Sequence, residues 1–198
     1  MRRGRSVLGR RRDGQPRRIV LPGEPLLDGL TALRPWRDGD VAALVAACQD
    51  PEIARWTRVP SPYGEADARA YLHARYDAAF AGLSAPFAIV AADSGGLLGS
   101  ISLMRFAWAD ARAEVGYWLA AAARGHGHAT RAVGLICRWG FEALGLERID
   151  LLAATGNPAS QQVAQRAGFT REAVLRSYLQ GTYERQDMVC FGLLRDEL

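Results

Sequence analysis

The order of strand-like and helix-like segments predicts an α+β fold built on one mixed, mostly antiparallel sheet. Two apolar runs, 86–92 and 97–106, are joined by a Gly95-Gly96 turn, which is typical of an antiparallel hairpin. A third run at 113–120 passes through a glycine-rich loop into a long helical pattern. Strands therefore come in neighbouring pairs as well as singly between helices, which favours an α+β fold over a doubly wound parallel sheet.

The remaining elements follow from apolar spacing and from turn residues. Asp38 is expected to cap the first helix, Gly145 to end the fourth, and Pro158 to open the fifth. About seven strands are predicted, at 29–36, 86–92, 97–106, 113–120, 148–154, 169–176 and 184–194. The helices that flank them are predicted at 39–48, 51–56, 65–82, 128–144 and 158–167.

Charge divides the 198-residue chain into an arm and one domain. Residues 1–18 contain eight Arg and one Asp and carry +7; since the whole chain carries +4, the rest carries −3. We expect residues 1–28 to form a basic, disordered arm and residues 29–198 a single domain. An Arg-rich arm suits nucleic acid, but no aromatic residues interleave to stack bases, so an extension without that role is favoured.

Several classes of protein do not fit the composition. No apolar run approaches the roughly 18 residues of a membrane span, so no membrane partner is expected. Three cysteines without a CxxC pattern indicate a reducing, cytoplasmic location. The pair His126 and His128 lacks a third ligand nearby, so no metal is expected. The oligomeric state stays open, a homodimer included.

The loop that follows the fourth predicted strand has the features of a phosphate cradle. Gly125 and Gly127 allow a sharp turn and close approach to a ligand, and Arg124 adds a cation. The first N–H groups of the following helix favour an anion. The chain has no Lys, which excludes a Walker A loop, and Thr130 stands where a dinucleotide fingerprint needs its third glycine. An ordinary strand–helix turn is the alternative.

Several motifs along residues 29–194 lie in the order of the predicted elements. They are Leu33-Arg-Pro-Trp36 with Asp40, Glu114-Val-Gly-Tyr-Trp-Leu119, Arg124-Gly-His-Gly-His-Ala129-Thr130, Asn157-Pro-Ala-Ser160, Arg166-Ala-Gly168-Phe169 and Leu175-Arg-Ser-Tyr178 with Asp187-Met188. Together these motifs resemble the GNAT superfamily of N-acetyltransferases, and within it the RimJ/RimL-type branch, which acetylates protein N-termini or small amines.

The resemblance implies acetyl-CoA, or another acyl-CoA, as co-substrate. It implies that loop amides hold the diphosphate and that the pantetheine arm lies in a splay between the fourth and fifth of the seven predicted strands. The implied contacts are Trp118, Leu119, Ala120, Arg124, Gly125, His126, Gly127, His128, Ala129, Thr130, Asn157 and Ser160. Asn157 has the alternative of holding its own turn.

The resemblance also implies catalytic roles. Glu114 is the expected base that deprotonates the amine, with an ion pair to Arg105 or Arg112 as the alternative. Ser160 is expected to hydrogen-bond the departing sulfur, with a first-turn backbone bond as the alternative. Many relatives place a tyrosine where this chain has Ala164. A main-chain N–H near Leu119 or Ala120 is the expected donor to the oxyanion.

The identity of the acceptor is less constrained. Trp56, Tyr63 and Tyr183 fall in segments that flank the acceptor groove in the resembled family, with core packing as the alternative. The expected reaction is acetyl transfer to a primary amine, on a protein N-terminus or a small molecule. A CoA-binding regulatory module without catalysis is the competing hypothesis.

Overall fold

A computed structural model describes residues 17–181 and 184–198 of the chain. One eight-stranded sheet forms its centre, in the order β1-β2-β3-β4-β5-β6-β8-β7. Every neighbouring pair is antiparallel except β5 with β6. The strands are β1 (Leu26–Leu27), β2 (Thr31–Arg34), β3 (Ser84–Ala91), β4 (Leu97–Ala107), β5 (Arg112–Leu119), β6 (Arg148–Ala154), β7 (Thr170–Gln180) and β8 (Arg185–Leu194). The predicted mixed, mostly antiparallel α+β fold is confirmed.

Five α-helices of the described residues flank the sheet, close to the predicted positions. They are α1 (Val41–Ala47), α2 (Pro51–Trp56), α3 (Glu65–Phe80), α4 (His128–Ala143) and α5 (Pro158–Arg166). The first begins later than predicted, since residues 38–40 form a 3-10 turn. Asp38 is not its cap, and Asp40 instead accepts a hydrogen bond from the Arg37 N–H at 2.8 Å. Gly145 has the left-handed φ of +68° expected just past the end of α4. No helix of the described residues is long and apolar enough to cross a membrane.

The parallel pair in the middle of the sheet opens into a splay. Strand β5 pairs with β6 only from Arg112↔Arg148 to Val115↔Leu151. Past that point β5 continues to Leu119 beside β4, while β6 continues to Ala154 beside β8. The gap between these strand ends lies between the fourth and fifth of the seven predicted strands, as expected.

Two apolar layers cover the two faces of the sheet. The larger packs α4 and α5 against one face and includes Phe87, Ile136 and Phe191, each with 0% exposure. The smaller packs α1 and α3 against the other face, around Trp36, Leu44 and Leu72. Because successive strand residues point to opposite faces, the ends of β5 contribute to both layers.

The predicted boundary at residue 28 needs correction for the part of the arm that the structure describes. Ile19 is 4% exposed, and its N–H donates to Ala79 O at 3.0 Å. Leu26–Leu27 pairs with β2. Residues 17–28 therefore include apolar side chains that pack on the domain, which the arginine count concealed. The expectation of disorder for residues 1–16 lies outside the described residues.

Candidate active site

The glycine loop between β5 and α4 has the backbone geometry of a cradle. Gly125 and Gly127 both have left-handed φ values, +82° and +80°. Open space surrounds the position of a Cβ at Gly125, and at Gly127 the nearest atom is Arg131 Nε at 3.9 Å. A left-handed conformation costs an L-residue with a side chain about 1–2 kcal/mol, so glycine is favoured here for its backbone freedom.

The main-chain donors of this loop have no hydrogen-bond partners in the part of the chain that the structure describes. No hydrogen bond among the described residues uses an N–H of residues 125–130, and the first such bond is that of Arg131 to Gly127 O at 3.2 Å. Unpaired N–H groups at the start of a sixteen-residue helix attract an anion. The loop can therefore hold an anion, as the expected diphosphate site requires.

The side chain of Arg124 already forms hydrogen bonds within the protein, which the cradle prediction did not include. Its Nε and Nη2 donate to Leu119 O at 3.2 and 2.9 Å, and Nη2 also donates to Asp50 Oδ2 at 2.6 Å. These bonds fasten the loop to the end of β5 and to the start of α2. Its positive charge is still near the loop, but a carboxylate already faces it.

The two loop histidines have different surroundings. His126 is exposed, whereas His128 Nδ1 lies 2.9 Å from the hydroxyl of the buried Thr31 on β2. Their rings are 6.3 Å apart. Among the described residues no group of three or more side chains is placed to hold a metal ion. His128 thus anchors the start of α4, close to the buried Ala129 and to Thr130.

Hydrogen bonding decides which amides of β5 face the splay. Ala120 N–H donates to Leu98 O at 2.9 Å, so it belongs to the β4 side. Antiparallel pairs alternate in their bonding, so Trp118 also bonds toward β4, opposite Ser100. Leu119, opposite Gly99, directs its N–H into the splay. Of the two N–H groups predicted to donate to the oxyanion, only that of Leu119 points into the splay, because that of Ala120 is bonded to Leu98 O.

Glu114 lies where β5 borders the cavity, on the face of α1 and α3. Its Oε2 accepts a hydrogen bond from Arg105 Nη1 at 2.9 Å, and its side chain is 17% exposed. Burial raises the pKa of Glu114 above its usual value, and Arg105 only partly offsets that effect. Asp150, its partner on β6, also raises this pKa. Such a carboxylate is a better base than an exposed one.

Asn157 and Ser160 open α5 on the opposite face. Asn157 Oδ1 accepts from Ser160 N–H at 3.0 Å, so the amide caps the helix. No hydrogen bond among the described residues uses Asn157 Nδ2, which leaves that group free to donate. The alternative of a turn-holding Asn157 is thus consistent with a binding role for the same side chain.

Tyr117 is a functional candidate that the sequence prediction missed. Its hydroxyl lies 3.1 Å from Ser160 Oγ, and burial raises the pKa of Tyr117 to about 12. A phenol hydroxyl therefore lies beside Ser160 although Ala164 supplies none, and it comes from β5. Only the alternation along β5, which places Tyr117 and Glu114 on opposite faces, could have indicated this.

A cavity of about 960 Å³ brings most predicted residues together. Its wall includes the predicted residues Glu114, Trp118, Leu119, Arg124, Gly125, Ala129, Asn157, Ser160, Trp56 and Tyr63. Trp56 reaches the turn before α5, since a Cβ on Gly156 would lie 3.5 Å from its ring. Tyr63 is 6% exposed within the smaller core, as its packing alternative expects. Tyr183 lies outside the described residues.

Comparison with known proteins agrees with this arrangement. Residues 31–170 match the family model described as "Acetyltransferase (GNAT) domain". The chain belongs to the GNAT acetyltransferase family. That match spans the glycine loop, the splay and the start of α5.

Other GNAT proteins resemble the chain over different spans. "Putative ribosomal N-acetyltransferase YdaF" of Bacillus subtilis is 37% identical over 103 residues, 52% of this chain and 56% of that protein. The chain therefore spans little more than half the length of this relative. Uncharacterized N-acetyltransferase p20 of Bacillus licheniformis is 26% identical over 88% of this chain and 98% of its own length. RimJ of Mycobacterium smegmatis, solved with CoA-disulfide, is 25% identical, with a TM-score of 0.80 and 88% of each chain covered.

Proposed function

We propose that this protein is an N-acetyltransferase that transfers the acetyl group of acetyl-CoA to a primary amine. One observation supports the proposal: the glycine loop, through Gly125 and Ala129, the open end of β5 and the carboxylate of Glu114 border the same cavity. His126, Gly127, His128 and Thr130 of the same loop lie outside the lining of that cavity. The CoA-disulfide bound to RimJ of Mycobacterium smegmatis supports the choice of ligand. The absence of Lys excludes a Walker A loop and so argues against a nucleoside triphosphate as the alternative ligand.

The groups that would hold the co-substrate are those without a hydrogen-bond partner among the described residues. Amides 125–130 would receive the diphosphate, and Asn157 Nδ2 would donate to a carbonyl of the pantetheine arm. When bound, acetyl-CoA supplies an activated acyl group as a thioester.

Groups on both faces of the sheet at the splay would take part in acetyl transfer. Glu114, with its raised pKa, takes the proton that the amine must lose. The Leu119 N–H donates to the oxyanion, a contact worth about 3 kcal/mol of barrier in comparable sites. Ser160 Oγ donates to the sulfur on the opposite face.

Tyr117 completes this arrangement as a positioning residue. With a pKa of about 12 its phenol stays protonated near neutral pH, so its O–H can donate to Ser160 Oγ. The serine proton is then directed away from Tyr117 and is available to the sulfur. The phenol itself is too weak an acid to give up its proton in this step.

A thiol-release assay separates catalysis from simple CoA binding. Purified protein with acetyl-CoA should release free thiol with at least one class among N-terminal peptides, polyamines, amino acids and aminoglycosides. Glu114→Gln should lower kcat by about 100-fold or more while the Kd for acetyl-CoA stays near the parent value. Tight acetyl-CoA binding without thiol release from any acceptor would favour the regulatory module instead.

The pH profile tests the role of Glu114 directly. In the parent, activity should fall as pH drops through the raised pKa of Glu114, because the protonated carboxyl cannot accept a proton. The Gln variant should lose that limb of the profile. A variant whose profile matches the parent's would show that Glu114 is not the base.

We also propose a cytoplasmic location. Cys48, Cys137 and Cys190 are all free thiols, and burial raises the pKa of each. Unpaired, protonated thiols suit a reducing compartment.

A further inference from the structure

The charges on the cavity wall carry information about the acceptor. Three carboxylates of the described residues line the cavity, and each already has a donor within the fold. The pairs are Glu52 with Arg55 and the Trp56 indole, Asp67 with the Gly64 N–H, and Glu114 with Arg105. The described wall therefore offers a cationic acceptor no carboxylate that is free of a partner.

Two arginines on the same wall lack an acidic partner among residues 17–181 and 184–198. Arg75, half-buried on α3, lies over the ring of Tyr71 at 4.3 Å and donates to Ser84 Oγ at 3.5 Å. Arg58 is exposed in the loop between α2 and α3. Within the described parts of the chain no carboxylate lies within ion-pair distance of either guanidinium. A partly buried guanidinium without a carboxylate beside it favours the binding of an anionic group.

The sheet register places Arg75 at a defined distance from Glu114. Ser84 is the partner of Met104, and Met104 is the partner of Glu114, so all three side chains share one face and one row. Neighbouring strands lie about 4.8 Å apart, which puts Ser84 roughly 10 Å from Glu114. The guanidinium of Arg75, bonded to Ser84, lies on that same row.

We infer that the acceptor is an amine that also carries a carboxylate roughly 10 Å from its nitrogen, held by Arg75 and Arg58 while the amine meets Glu114. This inference rests on the proposed acetyl transfer and names the substrate class for it. In a peptide, an extended chain advances about 3.4 Å per residue, so the carboxylate belongs on the second or third residue. In a small molecule, the match is an ω-amino acid of similar span.

Matched acceptors test the charge requirement. Three peptides would be compared, identical except for Glu, Gln or Lys at the third residue, together with 6-aminohexanoate and hexylamine. We expect kcat/KM to be about fivefold higher for Glu than for Gln, with Lys lowest, because a carboxylate gains charge-assisted bonds to guanidinium. The two small amines tell whether a free ω-amino acid satisfies the same site without a peptide backbone.

Variants assign the preference to the two arginines. Arg58→Gln and Arg75→Gln should each reduce the Glu-to-Gln ratio toward one, mainly through KM, whereas Arg75→Lys should retain part of it. Arg69→Gln is the matched control, since Arg69 lies on the same helix but pairs with Glu65 at 2.7 Å and is exposed. Raising the salt concentration should also reduce the ratio in the parent, because screening weakens exposed ion pairs.

The outcomes separate this inference from the reaction it rests on. Equal turnover of the Glu, Gln and Lys peptides, or a ratio that survives in both Gln variants, overturns the anionic acceptor but leaves acetyl transfer intact. A preference for the Lys peptide or for hexylamine overturns it as well. Thiol release with none of the acceptors, despite acetyl-CoA binding, would overturn both.

Discussion

Replacing Gly127 by Ala isolates the backbone contribution of the loop to co-substrate binding. Gly127 has φ of +80°, and a Cβ there would have no neighbour closer than Arg131 Nε at 3.9 Å. The substitution therefore introduces no clash with the described protein atoms, and without ligand its cost is that of a left-handed alanine, about 1–2 kcal/mol.

That cost must appear in one of two measurements. If the loop keeps its conformation without ligand, the free energy of unfolding falls by about 1–2 kcal/mol. If the loop relaxes, the Kd for CoA rises instead by about 5- to 30-fold, because binding must then restore the left-handed turn. Denaturant unfolding and calorimetric titration of the same sample measure both quantities, and their sum should equal the strain.

Asparagine provides the matched control, since it tolerates the left-handed region better than alanine. Gly127→Asn should therefore show a smaller summed effect than Gly127→Ala. If Gly127→Ala changed neither stability nor the Kd for CoA, the left-handed turn would have no part in forming the cradle.

Three further predictions concern Tyr117, the glycines of α4 and Asp40. Tyr117→Phe should lower kcat and leave the KM for acetyl-CoA nearly unchanged, because the Ser160 hydroxyl becomes free to rotate. In steady-state kinetics, Ser160→Ala and the double variant should lose the same amount of activity if the two hydroxyls act as a pair. Additive losses would contradict the pairing. Gly140→Ala should destabilise the fold by about 1–3 kcal/mol, since its Cβ would lie 2.9 Å from Leu103 Cδ1. The Cβ of Gly134→Ala would have no neighbour within 4 Å, so this variant should stabilise α4 by up to about 1 kcal/mol. Thermal unfolding that ranks the two variants in the reverse order would refute both expectations. Asp40→Asn should cost about 3–5 kcal/mol of unfolding free energy by leaving a buried guanidinium unpaired, and a loss below about 1 kcal/mol in denaturant titration would contradict it.

The same carboxylate gives a pH dependence of defined sign. Burial alone would raise the pKa of Asp40, but hydrogen bonds from Arg34 and from the Arg37 N–H more than offset it and lower the pKa below its usual value. A lowered folded-state pKa stabilises the fold above the unfolded value, and this stability is lost as pH falls through the folded value. Asp40→Asn should therefore flatten the decline in stability on the acid side of about pH 4.

Much of the fold could be predicted because apolar spacing and turn residues agree with each other. The fifth predicted strand, 148–154, and the second helix, 51–56, match the structure residue for residue. The edge strand Leu26–Leu27 was missed, since two residues carry no readable period. The start of α1 was misjudged because Asp40 pairs with Arg34, a tertiary contact that cap preferences do not include.

Candidate site residues could be predicted only where their position depends on the local sequence pattern. Glu114, the glycine loop and Ser160 lie at strand ends and helix starts, which sequence patterns locate well. Tyr117 could not be assigned, because its contact with Ser160 spans 43 positions and depends on how α5 packs on the sheet. The bond of Arg124 to Asp50 could not be predicted either, because it spans 74 positions and depends on where the start of α2 lies.

The central claim is that the main-chain amides of residues 125–130 bind the diphosphate of CoA, and amide resonances measure it most directly. Titrating the isotope-labelled protein with CoA should shift the N–H signals of these residues with one Kd, equal to that from calorimetry. Pantetheine, which lacks the diphosphate, should leave them in place while it shifts Leu119. If CoA saturates the protein without moving the loop signals, the diphosphate binds elsewhere and the account is contradicted.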